Sequence, residues 1–329
     1  MFVLSFLVVC SLPWIRRRFY ETFVSTHIMA AIAYFGLMFW HAGQEGDSWV
    51  YLWASLAIWM FGLFGRAITK QRILTQFRSA LFGYSSTLTS LSDGMVRLDV
   101  TVPATLKWKA GQHFFLRFPK LLPWQCHPFT VGNVPQAING NSSLMTFYIR
   151  SQSGLTSKLS LLADEKSTCN INTWVDGPYG ESFDDSESIY DTFIFMVGGS
   201  GISTCLSRLQ ELSKTHKDGY TPRVHIIWAI RHRCHIKWVG TELSELSSRF
   251  PHGSLNVRIY VTAEQSSKLD VENCHYTIED EKVPDVGEVN IGRPELGRIL
   301  PQLASNLRTR VFGKCRYSPS HLMPWTIYL

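Results

Sequence analysis

Two uninterrupted apolar runs constrain this chain more than any other feature. TFVSTHIMAAIAYFGLMFWH begins at Thr22 and SWVYLWASLAIWMFGLFG ends at Gly65. Each holds about 18 to 20 residues, which as α-helix spans roughly 30 Å, the thickness of bilayer hydrocarbon. Both therefore read as transmembrane helices. The opening MFVLSFLVVCSLPW is apolar over only about twelve residues, lacks a basic leader and is followed by Arg16, Arg17 and Arg18. It fits the exit half of a helix better than a cleaved signal peptide.

Basic residues give the orientation. Arg16 to Arg18 precede the first full run, the intervening AGQEGD has two acids and no base, and Arg66, Lys70, Arg72 and Arg78 follow the second. The positive-inside rule then places everything after residue 66 in the cytosol. The net charge of +6 is partly this topology signal, and no basic patch with interleaved aromatics points to nucleic acid. Seven cysteines show no C-x-x-C pair and no metal-ligand spacing, so free thiols are expected. The sequon at Asn141 lies on the cytosolic side and is expected to be unused.

From about residue 84 the rhythm changes to short strands. GMVRLDVTV, QHFFLRFP, SLMTFYIRS and TCNINTWVDGP alternate in part and are separated by Gly, Pro, Asn and Ser, as in a small antiparallel barrel. After about residue 190 it changes again. TFIFMVGG is a buried-type strand, ISTCLSRLQELSKTH has the helical period and RVHIIWAIRH is a second buried strand, the unit of a parallel sheet with covering helices.

Two segments of this soluble part carry chemistry. VGGSGIS, 197 to 203, removes side chains at Gly198, Gly199 and Gly201 where a strand turns into a helix, so a phosphate can approach N–H groups at the positive helix end. A tight turn with no ligand explains the same spacing. In CHPFTVGN, 126 to 133, Pro128 removes a ladder donor and implies an edge or a bulge. Phe129 could stack on a ring and Thr130 could offer its hydroxyl to a ring nitrogen, while an edge strand with a core phenylalanine remains the alternative.

The order of these pieces, with DGPYG at 176 to 180 and IIWAIR at 226 to 231, resembles the ferric reductase and NADPH oxidase family of flavocytochromes. RRRFYETFVSTH, HPFTVGN and GRPEL at 292 to 296 look closest to the fungal ferric and cupric reductases. The resemblance runs from about residue 10 to about 310. It implies a multidomain chain: N-terminal transmembrane α-helices over 1–78, an antiparallel β-barrel FAD-binding domain over 79–187 and an α/β, ferredoxin-reductase-like NADPH-binding domain over 188–329.

The family's chemistry implies NADPH, FAD and two haem b groups in series, ending on Fe(III) or Cu(II) chelates outside the cell, in an integral protein of the plasma membrane. By the same resemblance His127, Pro128, Phe129 and Thr130 line the flavin, with Thr130 at its reactive edge as the catalytic candidate. Gly154, Thr156 and Lys158 of SGLTSKL cover the FAD pyrophosphate. Gly198, Gly199, Ser200, Gly201 and Ile202 hold the NADPH pyrophosphate, and Gly177, Pro178, Tyr179 and Gly180 border the cleft between the cofactors. Arg231, at the carboxyl end of a sheet strand, could pair with a 2′-phosphate or be a surface arginine.

Geometry bears on the membrane pair. His27 and His41 are fourteen positions apart, so they share a helix face to within about 40° and stand about 21 Å apart along the axis. That distance is too long for one metal and suits one haem near each membrane surface, with imidazole as axial ligand. Interfacial histidines bonded to their neighbours are the alternative. Two departures from the family pattern remain. No second histidine pair precedes His27, and the tail RTRVFGKCRYSPSHLMPWTIYL loses the family's Cys-Gly-Pro turn at Cys315, so a truncated or mis-spliced product is expected. Two further readings stay open: a superoxide-generating NADPH oxidase, and a nonfunctional or regulatory fragment that associates with a full-length paralogue.

Overall fold

In the computed structural model the chain forms two compact units, Met1–Phe77 and Arg78–Leu329. The structure describes residues 2–14, 20–42, 48–70, 83–138, 140–180, 190–214, 222–263, 287–304, 308–314 and 325–328. Arg16 to Arg18, Arg72, Arg78 and Cys315 lie outside them.

The first unit is helical: α1 (Phe2–Cys10), α2 (Tyr20–Ala42) and α3 (Ser48–Lys70). Within α2 the stretch Thr22–Ala42 is long and apolar enough to cross a membrane, and of its residues only Ala42, at its end, is buried. Lack of burial separates it from the core helix of a globular domain, which would hide the same side chains. Helix α3 is continuous and its described apolar stretch is Trp49–Gly62, so among the described residues one of the two expected spans meets the criterion. Hydroxyls in these helices bond back to their own backbone, Thr26 Oγ1 to Thr22 O at 2.8 Å and Ser55 Oγ to Tyr51 O at 2.8 Å. That is how a polar side chain satisfies itself where water is absent.

The second unit opens with a barrel. Strands β1 (Tyr84–Ser90), β2 (Met95–Pro103), β3 (His113–Phe118), β4 (Leu122–Thr130), β5 (Gln136–Ala137), β6 (Ser142–Arg150) and β7 (Thr168–Tyr179) pair in the order β4-β3-β7-β1-β2-β6-β5. Val131, just past β4, bridges Phe147 of β6, and the Gly132 N–H donates to Thr146 O at 2.8 Å, which brings the ends of the sheet together. Alternation builds the core: Phe114, Leu116 and Phe118 of β3 are fully buried with Leu98, Val100, Met145 and Phe147. Helix α4 (Leu155–Lys166) packs Leu155, Leu159 and Ala163 onto the same core.

After β8 (Thr192–Gly198) comes α5 (Ile202–Leu212), then β9 (Arg223–Ile230), α6 (Gly240–Arg249), β10 (Leu255–Val261), β11 (Glu288–Ile291), α7 (Leu296–Leu303), β12 (Thr309–Lys314) and β13 (Trp325–Tyr328). The sheet order is β11-β10-β9-β8-β12-β13, parallel except for the β12–β13 pair. One face packs Phe193, Phe195, Trp228 and Ile259 with α5 and α6, and the other packs Ile194, Ile227 and Val311 under α7. The chain moves outward from β8 to β11 and returns to β12 on the other side of β8. The crevice beyond the carboxyl ends of β8 and β12 is thus a topological switch point, where open α/β sheets bind ligands.

Candidate functional site

Strand β3 gathers the residues expected on the flavin side. Because Phe114, Leu116 and Phe118 point inward, His113, Phe115 and Arg117 stand on the outer face. Register then decides which neighbours share it. Thr130 is opposite His113 and Pro128 opposite Phe115, so both lie outside, whereas Phe129 faces Phe114 and His127 faces Leu116. Phe129 packs against the barrel core, as the core alternative had it. Pro128 sits on the strand that ends the hydrogen-bonded order, where its missing N–H breaks no second ladder.

From the other side β7 sets Tyr179 opposite His113 and Asp176 opposite Phe115. The His113, Phe115 and Tyr179 rings form a cluster with centroids 5.4 to 5.9 Å apart, and the Tyr179 hydroxyl donates to Asp176 Oδ1 at 2.9 Å. Gly177 is required beneath it. A Cβ there would lie 2.6 Å from the Phe114 ring, and its φ of +154° disfavours a side chain. HPFT and GPYG, 50 residues apart in sequence, are therefore brought to the two flanks of β3. Sequence reading missed His113 and Phe115, although the period-two pattern of QHFFLRFP marks them as the face opposite the core.

Two helix starts carry no side-chain cap and leave N–H donors free to meet an anion. Gly154 takes φ +62° just before α4, and no side chain caps the helix, so its first-turn N–H donors point out of its end. Thr156 closes the turn, its hydroxyl accepting from the Gln152 N–H at 3.0 Å and donating to Ser153 O at 3.2 Å. Lys158 is exposed one turn on. The second end is the 3₁₀ turn Gly199–Gly201 between β8 and α5, also without a side-chain cap. Gly199 takes φ +51°, and the Trp228 Nε1–H holds its carbonyl at 3.0 Å. Ile202 is buried and anchors the helix start in the core. Gly198 is in register with Ala229, so Arg231, exposed two residues further on, stands at the same edge of the sheet.

Arg150, at the end of β6, joins the two ends. Its Nη1 is the nearest atom, 3.8 Å away, to where a Cβ on Gly199 would stand, and the Ser151–Gly154 loop runs from it to α4. No local sequence signal distinguishes it from other strand-end arginines. The barrel and the nucleotide half meet through Arg97, which pairs with Asp99 at 2.8 Å and Glu242 at 2.6 Å, while the Tyr148 hydroxyl donates to Glu242 at 2.9 Å. Burial, then the Glu242 charge, pushes the Tyr148 phenol far above its ordinary range, so it remains a donor. Burial likewise raises the Cys205 thiol of α5, and the five described cysteines are free.

In the helical unit His27 is half-buried and its Nδ1 is enclosed without a hydrogen-bond partner. It borders a groove of about 330 Å³ with Leu7, Val8, Ser11, Leu12 and Pro13, and its ring lies 5.2 Å from Phe23. His41, near the other end of α2, is exposed. Among the described residues no group of three His, Cys, Asp or Glu side chains could hold a metal ion between them.

A barrel with an aromatic outer face and, in the same unit, a glycine turn at a sheet switch point are what a flavin- and nicotinamide-nucleotide-dependent oxidoreductase needs. Comparison with known sequences agrees: residues 83–183 match an FAD-binding domain and residues 190–312 match the ferric reductase NAD binding domain. The chain belongs to the ferric reductase family. It is 31% identical over 268 residues to the probable cell surface ferric reductase kap2 of Aspergillus oryzae, covering 78% of this chain and 35% of that protein. It is also 31% identical over 284 residues to ferric/cupric reductase transmembrane component 7 of Saccharomyces cerevisiae, covering 84% and 43%. The chain thus spans about two-fifths or less of the length of these relatives. A ferredoxin reductase in carbazole 1,9a-dioxygenase overlays at TM-score 0.46 and 15% identity, covering 70% of this chain and 60% of that one.

Proposed function

We infer that this chain carries electrons from cytosolic NADPH, by way of FAD and haem, across the plasma membrane to Fe(III) or Cu(II) chelates outside, as a ferric-chelate reductase. The observation that carries this is the convergence in one unit of the β3 outer face and the glycine turn at the switch point, in a chain that also holds an apolar helix with a histidine at each end.

When bound, FAD would supply the switch from hydride to single-electron chemistry and haem the one-electron relay. The residues here bind and orient. The N–H donors after Gly154 and the loop from Arg150 suit the FAD pyrophosphate, and the His113, Phe115 and Tyr179 rings suit its flat ring system. Thr130, on the same face, offers a hydroxyl that can donate to a flavin nitrogen and hold it for hydride arrival. Gly198, Gly199, Ser200 and Gly201 suit the nucleotide pyrophosphate, and Arg231 suits a 2′-phosphate. His27, whose Nδ1 is enclosed and unpartnered, and His41 are the residues of this chain that would hold haem iron, each through its imidazole.

The full chain, purified in detergent, should show flavin absorbance that bleaches anaerobically with NADPH and recovers on adding a ferric chelate, together with a haem Soret band. His41→Ala should weaken that band, and Arg231→Ala should erase any preference of NADPH over NADH. Flavin that neither nucleotide bleaches would refute the reading.

A further inference from the structure

Between the two halves of the second unit lies a cluster that the proposed chemistry does not use. The β1–β2 turn presents Ser92, Asp93 and Gly94 to the 3₁₀ helix Arg233–Trp238, which follows directly on Arg231. Ser92 Oγ donates to Cys234 O at 2.9 Å and the Trp238 Nε1–H donates to Ser92 O at 2.8 Å, so the turn is pinned from both sides. On the barrel side the Ser151 N–H donates to Gly94 O at 2.8 Å, which fastens the same turn next to Arg150.

Within this frame one carboxylate oxygen faces two partners. Asp93 Oδ2 is 2.6 Å from His235 Nε2 and 3.6 Å from Arg150 Nη2. The His235 ring lies stacked on Trp238 at 4.0 Å and 17°, and the Arg150 guanidinium lies over the same indole at 5.8 Å. Asp93 reaches this position only in the left-handed region, with φ +54°. A non-glycine residue held there costs stability, and such strain gathers where geometry serves function. An arginine has many rotamers, and fixing one in advance removes that ordering cost from ligand binding.

We propose that Asp93 and His235 are positioning residues that lock the Arg150 guanidinium over the Gly199 turn, so that the nucleotide's pyrophosphate meets a preset cation supplied by the barrel. Trp238 is the surface on which that guanidinium rests. The lock spans the seam between the halves, so it couples nucleotide affinity to the loop that leads into α4. This rests on the glycine turn binding a dinucleotide, as proposed above.

The test is a double-mutant cycle on the full chain in detergent, with NADP⁺ binding followed by titration calorimetry and flavin content by absorbance. Asp93→Asn suits it because asparagine tolerates the left-handed region and keeps the side-chain shape. It should weaken NADP⁺ binding about tenfold, the size of one lost charge-assisted contact. Arg150→Lys should weaken it by at least as much, and the double variant should bind no more weakly than Arg150→Lys alone. Glu242→Gln, in the other polar network of the seam, should lower the unfolding temperature and leave NADP⁺ affinity unchanged.

If Asp93→Asn loses its flavin, His235→Phe carries the same cycle, since it keeps an aromatic ring on Trp238 and removes both ring nitrogens, of which Nε2 is the one that meets Asp93. Additive effects of Asp93→Asn and Arg150→Lys, or an equal loss of affinity in Glu242→Gln, would reduce the cluster to a structural clasp and overturn the proposal. Wild-type chain that binds FAD but no NADP⁺ would instead overturn the reading of the glycine turn, and the proposal with it.

Discussion

Acid should weaken the second unit through His235, by an amount the structure sets. The ring is 1% exposed, its Nε2 meets Asp93 and its Nδ1 is enclosed without a partner. Burial drives its pKa from 6.5 down to about 4; Asp93 opposes the shift, and Arg150 and His232 add to it. Because the folded pKa lies below the unfolded one, the unfolded chain binds a proton between pH 6.5 and 4 that the folded chain refuses. The stability conferred by the neutral ring is intact above pH 6.5 and is lost as the pH falls toward 4. A gap of about 2.5 pH units corresponds to roughly 3 kcal/mol, or a fall of roughly 6 to 12 °C in unfolding temperature for a unit of this size. Tryptophan fluorescence during thermal unfolding across that window, for wild type and His235→Phe, measures it. The variant should start lower at neutral pH, having lost its bond to Asp93, and then fall less steeply. The difference between the two curves isolates the contribution of this site. Parallel curves would show that His235 titrates as an ordinary histidine and that its burial does not govern its charge.

Two glycines test the two halves of the site in opposite ways. Gly177→Ala places a Cβ 2.6 Å from the buried Phe114 ring, an overpacking that costs about 1 to 3 kcal/mol. Its unfolding temperature should fall by several degrees and its flavin content with it, and a normal melting curve would contradict the close approach. Gly199→Ala has room, with only Arg150 Nη1 at 3.8 Å, and pays about 1 to 2 kcal/mol for its left-handed backbone. It should keep its flavin and lose NADP⁺ affinity by calorimetry, because the methyl occupies the space a phosphate needs. Unchanged affinity would mean that the turn is only a turn.

What could be read from the sequence was whatever repeats at short range. The strand sequences QHFFLRFP, SLMTFYIRS, TFIFMVGG and RVHIIWAIRH all carry their period in a few residues, and each is a strand here. Strand β1 escaped because YSSTLTS has a single aliphatic side chain, Leu88, on its inward face beside a hydroxyl: Ser86 is buried and its Oγ donates to Thr173 Oγ1 at 2.8 Å across the β1–β7 ladder. A buried serine looks like a loop residue until its partner, 87 positions away, is known. The direction of Phe129 had the same origin, since HPFT alternates either way and only the β3 register decides that Thr130 is outside and Phe129 inside.

Range also separates the residues proposed to bind from those proposed to position. Gly154 and Gly199 announce themselves because a backbone that must take positive φ at a helix start leaves its mark in one residue. Asp93 and His235 leave none, being 142 positions apart and each unremarkable among its neighbours. Neither half of the second unit could place Arg150 alone, because the arginine belongs to the barrel and its indole to the nucleotide half. A cation that must serve at the seam can be fixed only by groups from both sides of it. The placement therefore emerges with the packing of the two halves, and a substitution at Asp93 should be felt at Gly199 before it is felt in either core.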